Sequence, residues 1–166
     1  PPVALDGPCL SIRKFRKQPL SSADLIRSGS ISEAALTYLR ERVEGRINTI
    51  VLGGTGSGKT TLARAILAAL GHTGEVPSPT YTIIETYDEL NPPVVHADFY
   101  RLEHPSEVEE LGLDDYREGA VLLAEWPDHA GGFAHEPTCL AIDLEKVGDG
   151  REAVVTPGTS WQGRWL

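Results

Sequence analysis

The sequence predicts an α/β fold with a mostly parallel central sheet, helices on both faces and an antiparallel hairpin at the C-terminal edge. Three patterns along the chain favour this fold. A short β-branched run at 49–53 leads into a glycine-rich loop and then into a helical pattern. Further apolar strand patterns alternate with helical ones, which is typical of parallel sheets covered by helices. Two alternating segments flank the turn residues 148–150 and indicate a terminal hairpin.

Length, composition and charge are those of one soluble globular domain. The chain has 166 residues, of which 40% are hydrophobic and 23% are charged. Its net charge of -9 argues against strong direct binding to nucleic acid, because it leaves no broad basic surface for phosphates. The two cysteines, Cys9 and Cys139, lie far apart and fit a reducing cytoplasm. No apolar run approaches the ~20 residues of a membrane helix, so we expect a cytoplasmic protein without membrane association.

A helix with one apolar face is predicted before the first strand of the sheet. Ser30 followed three residues later by Glu33 is the capping-box pattern, which favours a helix start at that serine. Apolar residues then recur at i, i+3 and i+7. The residues before this helix, 1–28, form an N-terminal extension that stays unassigned apart from a possible strand at 10–15.

The remaining elements follow from alternation, apolar runs and turn residues. They belong to one domain at 29–157, and residues 158–166 form a C-terminal tail. In chain order we predict a strand at 49–53, a helix at 59–70 ending at Gly71, strands at 80–86 and 94–98, a helix at 105–112, a strand at 120–125, a loop at 127–137, and hairpin strands at 140–146 and 152–156.

The glycine-rich loop after the first strand matches the P-loop pattern G-x-x-x-x-G-K-[ST] in full. Its glycines let backbone amides turn inward around phosphate oxygens, and the following helix points unpaired N–H groups at that anion. Lys59 would reach the β- and γ-phosphates, and the Thr60 hydroxyl would coordinate Mg²⁺. We therefore predict binding of a nucleoside triphosphate with Mg²⁺, and hydrolysis of ATP. The residues concerned are Gly53, Gly54, Thr55, Gly56, Ser57, Gly58, Lys59, Thr60 and Thr61.

Two strand ends could supply the carboxylates that hydrolysis requires. The apolar runs at 94–98 and 121–125 end in Asp98 and Glu125, at the sheet edge where ligands of open α/β sheets bind. A carboxylate there could bind Mg²⁺ or act on the attacking water. The pattern does not choose between these roles, and either acid could instead cap its strand.

Four further residues near these acids each have more than one interpretation. Arg101 could reach the γ-phosphate or pair with Asp98. Thr80 or Thr82 could complete the Mg²⁺ shell, or either could be an ordinary strand residue. Trp126 could stack near the nucleotide or belong to the core.

Five motifs in order give the sequence a resemblance to one family. The likeness covers roughly residues 30 to 155, and the S-P-T-Y-T, D-F-Y-R-L and E-W-P pieces are distinctive together. The chain resembles the TsaE (formerly YjeE) family of ATPases of bacterial tRNA threonylcarbamoyladenosine formation. The segments that carry the likeness are the P-loop at 53–61, the loop at 76–82, the strand end at 96–102, the acidic segment at 110–116, and Glu125-Trp126-Pro127.

The resemblance implies roles that the residue patterns leave open. It implies that Thr80 lies in a switch-like loop at the nucleotide, that Asp98 acts in hydrolysis, and that Glu125 binds Mg²⁺. It also implies that Trp126 is functional. The implied cofactors are ATP and Mg²⁺, and the implied partners are the TsaB and TsaD proteins, with tRNA reached only through them. ATP hydrolysis would reset that complex between turnovers, and the protein alone would be a weak ATPase.

The sequence departs from the family pattern in the P-loop, and two other functions remain as alternatives. The family's usual P-loop reads closer to G-D-L-G-A-G-K-T, and Gly54, Thr55 and Ser57 depart from it. None of these positions contacts phosphate through its side chain in the P-loop pattern, so the nucleotide prediction stands. A P-loop kinase of small molecules or nucleotides is the alternative enzyme, although it would need a lid rich in arginine. A binding module switched by nucleotide, without turnover, is the non-enzymatic alternative, and a GTPase is disfavoured because no Asn-Lys-x-Asp motif is present.

Overall fold

The structure is a computed structural model and describes residues 21–133 and 136–161. The predicted strand at 10–15 lies outside the described residues. The helices are α1 (Ser22–Arg27), α2 (Glu33–Glu44), α3 (Lys59–Ala69), α4 (Glu107–Glu110) and α5 (Leu113–Arg117), with 3₁₀ turns at Phe99–Arg101, Pro127–Ala130 and Thr159–Trp161. The strands are β1 (Thr49–Leu52), β2 (Ile84–Tyr87), β3 (Val94–Asp98), β4 (Val121–Glu125), β5 (Leu140–Val147) and β6 (Gly150–Pro157).

One six-stranded sheet organises the described chain, in the order β2-β3-β4-β1-β5-β6. The four central strands are parallel, and β6 pairs antiparallel with β5 as the C-terminal edge hairpin. The mixed α/β fold with a mostly parallel sheet is therefore confirmed. The other edge strand, β2, is also antiparallel to its neighbour, which the sequence analysis did not predict. Parallel strands end at one common edge, so the carboxyl ends of β1, β3 and β4 converge there.

Apolar side chains cover both faces of the sheet. On one face, α2 and α3 pack residues such as Val43, Ile66 and Leu67 against Val51 and Leu123 of the central strands. These side chains are 6% exposed or less because strands covered on both faces lose contact with water. The opposite face is covered by the short helices and the 3₁₀ turns. None of the helices in the described ranges is long and apolar enough to cross a membrane.

The start of α2 and the end of α3 differ from the prediction, and α4 is shorter than the helix predicted at 105–112. The N-cap of α2 is Ser32, whose hydroxyl accepts a hydrogen bond from the Ala35 amide, so the predicted cap at Ser30 is wrong. Ser30 instead contacts the Ser28 hydroxyl in the turn before the helix. The helix at 59–70 is confirmed to within one residue, since its C-cap is Leu70 and Gly71 follows with a left-handed φ of 104°.

Other elements were missed or misplaced by the sequence analysis. A capping box between Ser21 and Asp24 opens α1, and Leu25 of this helix packs against Leu36 and Ala65. The short helix α5 was not predicted. The strand predicted at 80–86 begins only at Ile84, because an amide-to-carbonyl bond from residue 83 to residue 79 closes a turn ahead of it.

Candidate nucleotide-binding site

The P-loop joins β1 at the centre of the sheet to the start of α3. Gly53 has a φ of 125°, and a Cβ there would lie 2.7 Å from the Ser57 hydroxyl and collide with the Leu144 carbonyl. The N-cap of α3 is Gly58, which provides no side-chain hydrogen bond to the first turn. Serine side chains cap α1 and α2, so α3 differs from them in leaving its first amides available. Such an uncapped N-terminus is suited to an anion.

The Lys59 side chain lies inside the loop, with only 5% of the residue exposed. Its amine donates hydrogen bonds to the carbonyls of Gly53 at 2.7 Å and Gly54 at 2.9 Å. The same nitrogen lies 3.9 Å from the centre of the Trp126 ring, a cation–π contact. Burial lowers the pKa of Lys59 below its ordinary value, and the nearby carboxylates of Glu125 and Asp98 oppose that shift.

Glu125, at the end of β4, connects the start of α3 with β3. One carboxylate oxygen accepts a hydrogen bond from the Thr60 hydroxyl at 2.9 Å, and the other lies 3.0 Å from Nε2 of His96. Glu125 is 2% exposed and His96 is fully buried. An ionised carboxylate only accepts hydrogen bonds, so His96 then carries its proton on Nε2.

Asp98 lies beside Glu125 because the two residues are paired in the parallel register of β3 and β4. Its carboxylate accepts a hydrogen bond from the Thr80 hydroxyl at 2.6 Å and another from the Tyr100 amide at 3.1 Å. The Ser78 hydroxyl lies 2.9 Å from that of Thr80. The loop before β2 is thereby tied to the carboxyl edge of the sheet.

The structure places Thr80, Thr82 and Arg101 differently around the two acids. Thr82 is exposed and makes none of the described side-chain hydrogen bonds, so Thr80 is the threonine brought to the acids. Arg101 does not pair with Asp98, and its guanidinium lies 5.1 Å from the centre of the Tyr81 ring.

Trp126 forms one wall of the site and is not a fully buried core residue. Its backbone has a left-handed φ of 56°, which turns the chain sharply after β4. The ring packs against Tyr100 at 5.2 Å and His129 at 5.7 Å between ring centres, in addition to covering Lys59. Trp126 fits both interpretations, because its ring covers the P-loop lysine and also packs against the core on the face of the sheet that the short helices cover.

Two residues of the site were not singled out by the sequence analysis. His96 lies two residues before Asp98 on the same strand, and this period-two spacing was a usable signal for a shared face. Arg151 of β6 donates hydrogen bonds to the Ser57 and Gly56 carbonyls of the P-loop. No local pattern indicates that contact, because the two segments are more than 90 residues apart in sequence.

The oxygen atoms at the start of α3 fit a magnesium ion. The Thr60 hydroxyl and the Glu125 carboxylate already meet, and hard oxygen ligands of this kind are those that Mg²⁺ prefers. The buried Ser57 hydroxyl of the same loop has no hydrogen-bond partner in the described chain. Among the described residues, no group of three or more His, Cys, Asp or Glu could hold a metal. Mg²⁺ at this point would therefore take further ligands from phosphate and water.

A P-loop at the centre of a mostly parallel sheet, with two acids at the adjoining strand ends, defines the class of P-loop nucleotide-binding folds. The sequence model of one family, "Threonylcarbamoyl adenosine biosynthesis protein TsaE", matches residues 25–153. The chain belongs to the TsaE family, which takes part in tRNA threonylcarbamoyladenosine biosynthesis.

Individual relatives agree with this assignment. The "tRNA threonylcarbamoyladenosine biosynthesis protein TsaE" of Haemophilus influenzae is 37% identical over 114 residues, which cover 68% of this chain and 72% of the relative. The protein of the same name from Bacillus subtilis is 47% identical over 75 residues, 45% of this chain and 46% of the relative. A crystal structure of Bacillus subtilis YdiB superposes with a TM-score of 0.57 at 25% identity, covering 80% of this chain and 85% of that one.

Proposed function

We propose that this protein binds ATP with Mg²⁺ at the P-loop and hydrolyses it to support tRNA threonylcarbamoyladenosine formation by TsaB and TsaD. The observation that carries the proposal is the contact between the Thr60 hydroxyl and the Glu125 carboxylate. It joins the first turn of the P-loop helix to a buried acid on the neighbouring strand, and P-loop hydrolases require this pair of oxygen ligands for their metal. Family membership supports the pathway.

Phosphate binding is assigned to the loop backbone and to Lys59. The free amides at the start of α3, which include that of Thr61, face the anion, and the side chains of Thr55 and Ser57 are not required for this contact. Lys59 exchanges its bonds to the Gly53 and Gly54 carbonyls for phosphate oxygens. Trp126 keeps water from one side of the lysine. Bound Mg²⁺ would neutralise charge on the β- and γ-phosphates.

In this proposal, the Asp98 carboxylate orients the water molecule that attacks the γ-phosphate. This carboxylate is buried, lies next to Glu125 in register and is held by Thr80 and the Tyr100 amide. A carboxylate fixed by two donors retains lone pairs that can orient a water molecule for attack on phosphorus. We propose that Thr80 fixes the rotamer of Asp98 and that Glu125 is the metal ligand.

The cellular role we propose is that of a helper ATPase. Hydrolysis resets the complex with TsaB and TsaD between rounds of modification, while the threonylcarbamoyl group comes from another enzyme. The chain contacts tRNA only through these partners, because its net charge of -9 gives weak intrinsic affinity for a polyanion.

The test is reconstitution with TsaB, TsaD, tRNA and a source of threonylcarbamoyl-adenylate. Modified tRNA per complex is counted with wild-type protein, with Lys59→Ala and with Asp98→Asn, in ATP or in a non-hydrolysable analogue. We expect multiple turnovers only with wild-type protein and ATP. Asp98→Asn should lower ATP hydrolysis by about a hundredfold while its nucleotide affinity stays near the wild-type value. The exposed acid Asp143 on β5 offers a control, Asp143→Asn, with the same loss of charge.

Three outcomes of the same experiment contradict the proposal. Turnover that is indifferent to this protein removes the helper role. Full turnover with a variant that binds ATP but cannot hydrolyse it, such as Glu125→Ala, replaces the ATPase by a nucleotide-switched binding module. Transfer of labelled γ-phosphate to a small molecule or nucleotide, instead of release as inorganic phosphate, identifies a kinase.

A further inference from the structure

The C-terminal hairpin, formed by β5 and β6, contacts the P-loop. The guanidinium of Arg151, at the start of β6, donates from Nε to the Ser57 carbonyl at 2.8 Å and from Nη2 to the Gly56 carbonyl at 3.2 Å. Its third nitrogen, Nη1, donates to the carbonyl of Gly150 at 2.8 Å. The Leu144 carbonyl of β5 approaches Gly53 so closely that any side chain there would collide with it. The hairpin therefore contacts both ends of the phosphate-binding loop.

Holding a carbonyl in place also fixes the next amide. A peptide group is planar and trans, so its N–H points opposite to its C=O. When Arg151 holds the Ser57 carbonyl, the Gly58 amide of the same peptide is directed the opposite way, away from the guanidinium. The preceding peptide is held at both ends, because Arg151 binds the Gly56 carbonyl and the Ser57 amide donates to the Gly54 carbonyl at 3.2 Å.

The geometry requires a guanidinium. Its planar fork presents several N–H donors in fixed directions and keeps its charge at every accessible pH, whereas an ammonium group is a compact charge on a flexible stem. Lysine at position 151 could reach one carbonyl without defining both peptide planes.

We propose that Arg151 is a positioning residue, which holds the P-loop in the conformation that binds phosphate and so couples nucleotide affinity to the C-terminal hairpin. This inference rests on the proposed nucleotide binding and goes beyond it, since neither the P-loop pattern nor the acids include a residue of β6. The guanidinium acts through the loop backbone and needs no contact with the nucleotide.

Lys146 provides a matched control for this residue. It lies directly opposite Arg151 in the register of β5 and β6, it is exposed, and none of the described hydrogen bonds or ion pairs involves it. Lys146→Ala removes one positive charge from the same hairpin and leaves the carbonyls of the loop untouched. The pair of variants separates hydrogen bonding to the loop from the general field of a nearby cation.

The experiment compares full-length wild-type protein with Arg151→Ala, Arg151→Lys and Lys146→Ala. The dissociation constant for ADP with Mg²⁺ is measured by calorimetry, thermal unfolding is followed in parallel, and hydrogen exchange of the segment 54–60 is measured without nucleotide. We expect Arg151→Ala to weaken ADP binding about fivefold, the effect of losing one net hydrogen bond. Arg151→Lys should recover part of the loss, Lys146→Ala should stay within about twofold, and loop exchange should be faster only in the Arg151 variants.

Contrary results have distinct meanings. Equal weakening by Lys146→Ala and Arg151→Ala overturns the proposal in favour of a simple charge effect. A lower unfolding temperature in Arg151→Ala with unchanged ADP affinity and unchanged loop exchange overturns it in favour of a purely structural contact. If the wild-type protein binds no nucleotide, the proposed function fails, while hydrogen exchange of the loop still decides whether Arg151 positions it.

Discussion

The buried ionisable side chains of the site do not balance one another in charge. Lys59, Asp98 and Glu125 are all buried, and together they carry one positive and two negative charges when ionised. Buried carboxylates are costly unless they are hydrogen-bonded, and each acid here has two donors. A free nucleotide would bring further negative charge towards these acids, so we expect the proposed nucleotide to bind together with a divalent cation.

Cys139 is a residue whose titration can be predicted without any ligand. Burial, with a smaller effect from Glu136, raises its pKa from 9.0 to about 11. The unfolded thiol ionises at lower pH than the native one, so the native state binds more protons between these values. The free energy of unfolding therefore falls as the pH rises from about 9 to about 11, by roughly 2 kcal/mol.

Denaturant unfolding at several pH values measures this effect in a Cys9→Ser background, which leaves one thiol. The control is Cys139→Ala, which loses some packing but should show a flatter dependence over the same pH window. A slope that is equal in both proteins would assign the pH dependence to other groups. Tyr87, whose pKa burial raises to about 12, acts in the same direction and is present in both.

At the scale of single elements, the P-loop depends on one glycine far more than on its neighbour. Gly53 has a φ of 125° and no room for a Cβ, whereas a Cβ at Gly54 would meet nothing within 4 Å. We expect Gly53→Ala to destabilise the fold by about 2 kcal/mol or more, since strain and collision add, and to abolish nucleotide binding. Gly54→Ala should change stability by less than about 0.5 kcal/mol.

Thermal unfolding and a fluorescent nucleotide titration give both readouts. If Gly53→Ala were as stable as Gly54→Ala, the close approach of the Leu144 carbonyl would not exist in solution. That result would also remove one of the two contacts by which the hairpin supports the loop.

The start of α2 tests the corrected helix boundary. The Ser32 hydroxyl accepts a hydrogen bond from the Ala35 amide, while the Ser30 hydroxyl contacts the Ser28 hydroxyl in the preceding turn. Ser32→Ala should lower the free energy of unfolding by about 1 kcal/mol, the usual value of an N-cap. Ser30→Ala should have a smaller effect, within about 0.5 kcal/mol. Urea unfolding of the two variants decides between the positions, and the reverse order would restore the sequence-based boundary.

The elements that the sequence analysis missed are those with weak local signals. Ser30 and Ser32 are both adequate caps, and the glutamate three residues after Ser30 favoured the wrong one. The helices α1 and α5 have six and five residues, too short for a periodic pattern, and tertiary packing stabilises them. Thr80 to Thr82 have strand-like composition, yet a turn closes ahead of Ile84 and Thr80 bonds to Asp98, a contact between distant residues that local composition does not encode.

At the scale of the whole molecule, a local motif specifies the P-loop, whereas the pairing of the strands specifies which residues lie around it. The P-loop could be predicted because its geometry is encoded in eight consecutive residues. Asp98 and Glu125 could be predicted only as strand ends, and their proximity depends on the pairing of β3 with β4. The partners His96 and Arg151 depend on register and hairpin packing, which local patterns do not carry. The catalytic, nucleotide and metal roles of these residues stay predictions.

Asn48, which precedes β1, links the amino-terminal ends of the central strands, at the end of the sheet opposite to the P-loop. Its side-chain oxygen accepts a hydrogen bond from the Leu122 amide of β4 at 2.9 Å, and its amide nitrogen donates to Glu136 at 2.8 Å. Its carbonyl accepts a hydrogen bond from the Leu140 amide of β5 at 2.8 Å. One residue thus links three parallel strands, and Glu136 extends the link through an ion pair with Arg117.

Asn48→Ala is therefore expected to destabilise the whole domain by about 2 kcal/mol, because the buried Leu122 amide loses its acceptor. Urea unfolding should show a lower midpoint with an unchanged m-value, since the sheet unfolds as one cooperative unit. The control is Arg46→Ala, which removes an exposed hydrogen bond to the Gly119 carbonyl and should cost less than about 0.5 kcal/mol. A fall in m-value for Asn48→Ala would instead mean that the strands separate before the rest of the domain. In that case the hydrogen bonds of Asn48 would hold β4 and β5 to β1 locally. The candidate nucleotide site at the carboxyl ends of the strands would then keep its geometry only while these hydrogen bonds are intact.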